Sequence, residues 1–143
     1  MISGIDHVGI AVKSIDEARK FWVDTLGLRL TRIEDVPEQK VRVAILQAGE
    51  TTIELLEPTS PDSPVQRFLE KRGEGLHHLT LDVPNSKEKI AELKQQGVKV
   101  VDEREFGPDS YEAFISPRSS HGVLIQIGSG FPTLARAAEW FKR

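Results

Sequence analysis

The chain contains the same pattern twice, and this internal repeat limits the folds that it can adopt. Residues 5–12 (IDHVGIAV) align with residues 76–83 (LHHLTLDV), so that apolar residues pair along both segments and His7 falls on His78. Each segment alternates in polarity, which is typical of a strand with one face against a core. The repeat therefore predicts two related modules built around equivalent strands.

Each of these strands is followed by a predicted helix that ends at a glycine. Ser14 begins a capping box with Glu17, three residues later, and the helix ends at Gly27. In the second module Asn85 opens the corresponding helix, which ends at Gly97. The apolar residues predicted for the first helix are Ile15, Ala18, Phe21, Trp22 and Leu26.

Three strand-like runs follow each helix, so each module has the order βαβββ. The predicted fold class is α+β, with two tandem βαβββ modules forming a curved, mostly antiparallel, cup-shaped sheet. We expect a single domain with module 1 at about residues 3–57, a linker at about 58–75 that includes a short helix, module 2 at about 76–128 and a C-terminal helix at about 132–143. The predicted later strands are 28–33, 41–46 and 52–56 in module 1, and 98–101, 111–116 and 123–127 in module 2.

Composition excludes several classes of function. The chain has no cysteine, so thiol catalysis, thiolate metal ligands and disulfides are ruled out. A net charge of -3 argues against nucleic acid as a partner, because phosphate binding needs a basic surface. No apolar run approaches the ~18 residues of a membrane helix, and no basic-then-apolar leader follows Met1. We expect a cytoplasmic protein with no membrane partner.

Four polar side chains occupy equivalent positions of the two modules, in strands that are otherwise apolar. His7 and His78 share a register in the first strand of each module. Glu54 (in TTIELLEP) and Gln126 (in GVLIQIG) likewise share a register in the last strand of each module. The helix should cover the face that carries Val8, because that face is continuously apolar, and His7 should point into the cup.

These four side chains predict a site for one divalent metal ion. A carboxylate in an apolar strand is costly to bury unless it is paired or bound to metal. Two imidazoles, one carboxylate and one amide oxygen, from His7, His78, Glu54 and Gln126, suit a five- or six-coordinate ion with water in the open positions. Zn, Co, Ni, Mn and Fe(II) all remain compatible with this set. His77 falls on the opposite strand face and is expected to be structural.

The repeated plan with these ligands resembles the vicinal oxygen chelate superfamily, and within it the methylmalonyl-CoA epimerase family. The resemblance spans residues 5–127 and is carried by IDHVGIAV, FWVDTLGL, PEQKVRVAIL, GVLIQI and, most specifically, ELLEPTSPDSP joined to GEGLHH. It implies an acyl-CoA substrate whose thioester carbonyl and carboxylate are chelated by the ion, which stabilises an enolate. Epimerisation also needs an acid/base group on each enolate face. We further expect a homodimer.

The chain departs from this family at three places. At the last ligand position the family usually has Glu, a favoured acid/base, whereas Gln126 cannot transfer protons at neutral pH. The resemblance leaves Glu54 as the predicted catalytic group, with water or another group opposite. Residues 106–112 (FGPDSYE) replace a Gly-rich, His-containing loop. Residues 131–143 indicate an amphipathic helix that packs on its own domain or on a dimer partner, or covers the cup as a lid.

Three other functions are compatible with the same residues. A glyoxalase-type isomerase or lyase would use the same metal on another carbonyl substrate. An Fe(II) dioxygenase would use His7, His78 and Glu54, but Gln126 argues against it because oxygen needs open coordination positions. A metal-free protein that binds small molecules would not need four ligand-type residues.

Overall fold

The predicted order of strands and helices is present in the computed structural model, which describes residues 1–105 and 110–129. The order βαβββ occurs twice within these residues, and the predicted α+β fold class is confirmed. The strands are β1 (Gly4–Ala11), β2 (Arg29–Val36), β3 (Val41–Ala48), β4 (Thr51–Pro58), β5 (Gly75–Asp82), β6 (Val100–Glu105), β7 (Tyr111–Ile115) and β8 (Ile125–Gly128). The α-helices are α1 (Ile15–Arg19), α2 (Pro64–Arg72) and α3 (Ser86–Gln95).

The contacts divide the chain into two units. The first is His7–His77, and the second combines residues 1–6 with the described residues from His78 onward. In the first unit the strand order is β2-β3-β4-β1, with β1 and β4 parallel and the other neighbours antiparallel. In the second it is β5-β8-β7-β6, with β5 and β8 parallel. The two units therefore repeat both connectivity and strand direction.

The core of the first unit lies between the sheet and the helical segment after β1. Val8 packs against this core, as the alternating pattern predicts. His7 therefore lies on the opposite strand face. The buried apolar residues of this core are Ile10, Val12, Ile15, Ala44, Leu46 and Leu55.

The helical segment after β1 changes type along its length. The Ser14 hydroxyl accepts a hydrogen bond from the Glu17 backbone N–H at 3.2 Å, which confirms the predicted cap. From Lys20 to Thr25 the backbone continues as a π-helix, in which the Leu26 N–H donates to the Phe21 carbonyl. The expected apolar face is wrong at Phe21 and Leu26, which are exposed, because the π turn shifts side chains away from α-helical spacing.

The second unit repeats this packing with fewer buried apolar residues. Its buried apolar residues, which come from the end of β5, α3, β7 and β8, are Val83 (directly after β5), Ile90, Ala113 and Ile127. Asn85 precedes α3 as predicted, but its side chain makes no capping hydrogen bond. The Ser86 hydroxyl instead donates to the Tyr111 carbonyl at 2.6 Å and ties the start of α3 to β7.

Two features of the prediction concern the chain outside these cores. Among the described residues, no helix is long and apolar enough to cross a membrane. The expected C-terminal helix at 132–143 lies outside the described residues, as do residues 106–109 of the FGPDSYE segment.

Candidate functional site

The strand register repeats between the two units at the positions of the predicted ligands. Glu54 on β4 pairs with Gly9 on β1, and Gln126 on β8 pairs with Thr80 on β5. In each unit the predicted histidine ligand lies two residues before the β1 or β5 member of this pair, on the same strand face. The alignment of the two modules therefore holds at the level of strand pairing.

His7 and Glu54 form a close pair on the first unit's sheet. Nδ1 of His7 lies 3.2 Å from Oε2 of Glu54, and His7 is only 5 % exposed. Gly9, opposite Glu54, has no side chain, so the carboxylate has room to reach across β1 towards the imidazole. Two ligand atoms at right angles on an ion with bonds of about 2.1 Å lie about 3 Å apart, so this spacing suits a shared ion.

Gln126 is held at both ends of its amide on the second unit's sheet. The Thr80 hydroxyl donates to Oε1 of Gln126 at 2.8 Å, and Nε2 of Gln126 donates to Oε2 of Glu112 at 3.0 Å. All three residues are buried, with Thr80 at 0 %, Glu112 at 2 % and Gln126 at 6 % exposure. An amide oxygen has two lone pairs, so Oε1 can accept from Thr80 and still bind an ion.

The adjacent histidines His77 and His78 contact different aromatic rings. The His78 ring meets the Phe114 ring edge-on, with centroids 6.0 Å apart. The His77 ring lies 4.9 Å from the Phe68 ring of α2, also edge-on. Burial lowers the pKa of His77, which favours its neutral form. These contacts agree with the structural role expected for His77. His78 shares a strand face with Thr80 because the two residues are two positions apart in β5.

Glu112 was not among the candidates from the sequence, although it contacts one of them. Phe114 pairs with Gln126 and Ile45 pairs with Glu54, so Phe114 and Ile45 are equivalent in the two units. Glu112 and Val43 each lie two residues before these positions and are therefore equivalent as well. A carboxylate at 2 % exposure thus occupies a position that is apolar in the other unit. Comparing the third strands of the two modules reveals this difference, but their alignment depends on the strand register.

The family model for the glyoxalase/bleomycin resistance protein/dioxygenase superfamily matches residues 6–114 of the chain. The chain belongs to this superfamily. It is 46 % identical over 125 residues to the uncharacterized protein YqjC of Bacillus subtilis strain 168, covering 86 % of this chain and 89 % of that protein.

Within the superfamily, the chain is similar to methylmalonyl-CoA epimerases of known structure. The crystal structure of the Mycobacterium tuberculosis enzyme is 35 % identical, with a TM-score of 0.82 and coverage of 95 % of this chain and 93 % of that one. A methylmalonyl-CoA epimerase in complex with methylmalonyl-CoA and NH4+ is 32 % identical, with a TM-score of 0.83 and coverage of 93 % and 98 %. These relatives confirm the resemblance, and they confirm the prediction that this superfamily member is an isomerase.

The donor atoms that this superfamily member offers to a metal come from both units. In the first unit His7 lies beside Glu54, and in the second unit His78 lies two residues before Thr80, which pairs with Gln126. Divalent transition ions accept both imidazole nitrogen and oxygen ligands. Across residues 1–105 and 110–129, no group of three or more His, Asp or Glu side chains is assembled as a metal centre. The four-residue ligand set stays a prediction.

Proposed function

We propose that this chain is a metal-dependent epimerase of methylmalonyl-CoA, which moves the proton at C2 through an enolate. The observation that carries the proposal is the contact between buried His7 and half-buried Glu54, whose register is repeated by His78 and Gln126. The related epimerase in complex with methylmalonyl-CoA supports the choice of substrate. The proposed ligands of a single ion are His7, Glu54, His78 and Gln126, and Zn, Co, Ni and Mn are all candidates.

The chemistry begins with a proton that lies between two carbonyl groups. When a divalent ion is bound, it supplies Lewis-acid stabilisation for negative charge that develops on the acyl oxygens. Glu54 removes the C2 proton, since among the four proposed ligands it alone carries a carboxylate. His7, at 3.2 Å, holds that carboxylate on one side of the site and limits its motion.

The return of the proton to the opposite face needs a second source of protons. The amide of Gln126 cannot serve, because it does not ionise at neutral pH. In this chain the second proton therefore comes from water or from another side chain. The proposed enzyme consequently depends on Glu54 more strongly than an enzyme with two carboxylate ligands would.

Exchange of the C2 proton in heavy water tests this function directly. Metal-replete protein should catalyse incorporation of deuterium at C2 of methylmalonyl-CoA. Mass spectrometry of the substrate measures this incorporation. Glu54→Gln should reduce the rate by about 10²–10⁴-fold, the usual contribution of one acid/base group. Glu50→Gln changes an exposed residue of the β3–β4 turn and is the matched control, which should exchange at the wild-type rate.

Two results would contradict the proposal. An absence of exchange with protein that has bound metal would exclude this substrate. Unchanged exchange by Glu54→Gln would show that another group removes the proton.

The proposal also includes a homodimer in solution, and light scattering that gives the mass of a single 16.0 kDa chain would contradict that part.

A further inference from the structure

The strongest unassigned feature of the molecule is the chain of hydrogen bonds from Thr80 through Gln126 to Glu112. It links β5, β8 and β7 on the face of the second unit that carries His78. Every member is buried, and one member is a carboxylate. A buried carboxylate is costly unless its neighbours stabilise its charge, so its position opposite an amide calls for an explanation.

The carboxylate of Glu112 determines which end of the Gln126 amide faces which neighbour. Oε2 of Glu112 accepts a hydrogen bond from Nε2 of Gln126, so the carboxyl group faces the NH2 group of the amide. A flipped amide would turn its oxygen towards Glu112 and lose this hydrogen bond. Thr80 does not make this choice alone, because a hydroxyl both donates and accepts. The amide oxygen is therefore directed away from β7.

We infer that Glu112 is a positioning residue that fixes the amide oxygen of Gln126 for ion binding and makes glutamine the required residue at position 126. The inference rests on the proposed function, in which Gln126 is a ligand. Its physical basis is the 3.0 Å contact between Nε2 and Oε2. A glutamate at position 126 would place a second carboxylate against the first one inside a buried site, where like charges repel strongly.

Glu112 also brings an acidic side chain to the proposed site in the second unit. The four proposed ligands contain one carboxylate, Glu54, which lies in the first unit. Glu112 is a second carboxyl group, and it contacts the amide nitrogen of Gln126, on the other side of the amide from the proposed ligand oxygen. Groups behind a metal ligand that orient it typically change metal affinity by 10–100-fold. In the first unit the equivalent position is Val43, so this arrangement belongs to one half of the repeat.

Thermal unfolding without metal tests the coupling between positions 112 and 126. At pH 8, Gln126→Glu should lower the Tm by about 5 °C or more, because it creates a buried pair of like charges. The double variant Glu112→Gln/Gln126→Glu reverses the amide and the carboxylate, and it should recover most of that loss. A Gln126→Glu protein as stable as wild type, or a double variant no better than Gln126→Glu alone, would overturn the inference.

Binding of Co²⁺ tests the positioning role separately. Glu112→Leu should weaken Co²⁺ affinity by about 10–100-fold in calorimetry and alter the visible absorption of bound Co²⁺. Glu112→Gln keeps an oxygen acceptor and should lose less affinity than Glu112→Leu. Glu105→Gln, on exposed β6, is the control and should bind as wild type does. If Glu112→Leu does not fold, Glu112→Val, which copies the equivalent Val43 of the first unit, carries the test, and wild-type affinity in that variant overturns the inference.

The two proposals fail in different ways. If wild-type protein binds Co²⁺ but does not exchange C2 protons, the proposed substrate is wrong, and the role of Glu112 stands on affinity and Tm. If exchange is normal but Glu112 variants bind Co²⁺ as wild type does, the proposed function stands and the positioning role is wrong.

Discussion

At equivalent places in the repeat, single residues give the two units different polar sites. Gly9 faces Glu54, and the carboxylate reaches His7, whereas Thr80 faces Gln126 and holds its amide oxygen. The sequence alignment of the two modules places Gly9 opposite Thr80, but it does not show which hydrogen bonds the neighbouring side chains form. Residue identity thus set the candidate ligands, while their neighbours across the strands became evident only from the fold.

Asp62, just before α2, provides a prediction about stability and pH. Hydrogen bonds from the Lys40 ammonium and the Ser60 hydroxyl lower its pKa from 3.8 to about 2. Because the folded-state pKa is the lower one, its stabilisation is present above about pH 4 and is lost as the pH falls towards 2. Asp62→Asn should therefore lose less stability than wild type across this range in urea unfolding.

The exposed position of this ion pair defines the controls. Asp62 lies at the surface, so added salt should shrink the difference between Asp62→Asn and wild type. Asp35→Asn, at an exposed position of β2, should follow the wild-type pH dependence. An Asp62→Asn curve as steep as that of wild type between about pH 4 and 2 would show that the pair does not act as described.

Helices and strands were largely predictable from the sequence because local signals determine where they start and stop. Alternation located β1 and β5, and Ser14 marked the start of α1. The π turn at Lys20–Thr25 was not predictable, since the spacing of Ile15, Ala18 and Trp22 fits an ordinary α-helix. Glu112 was missed because strand pairing, a long-range property, brings it to Gln126.

Two glycines end equivalent helices and give a prediction about backbone strain. Gly27 has φ of 93° and Gly97 has φ of 86°, and a Cβ at either would meet nothing within 4 Å. Replacement by alanine would therefore destabilise through the backbone alone, by about 1–2 kcal/mol at each site. Urea unfolding of Gly27→Ala and Gly97→Ala measures this loss, and Gly27→Asn should lose less because asparagine tolerates positive φ better.

A different outcome at these two positions would be informative about each helix end. Unchanged stability in Gly27→Ala would mean that the π turn relaxes and lets the residue reach negative φ. In that case Gly97→Ala, which follows a helix without a π segment, should still be destabilised.

For the whole molecule, duplication divides the proposed site between two halves of the chain. Each unit brings one histidine and one oxygen donor from two neighbouring parallel strands, and two residues on their own do not supply four protein ligands. If the four residues bind one ion, metal binding and folding of the complete chain are linked. The repeat in the sequence predicts this division, and metal measurements on the whole protein test it.

We predict one divalent ion per chain, lost when either histidine is replaced. A metal concentration of about 100 times Kd should stabilise wild type by about 2.7 kcal/mol, and chelation should remove that gain. His7→Asn and His78→Asn should each abolish both the gain and the bound ion in elemental analysis, because each removes one ligand of the same site. His121→Asn, in an exposed turn, is the matched control and should keep both. Two ions per chain, or full metal content in His78→Asn, would instead indicate that each unit binds metal independently and that the shared site is wrong.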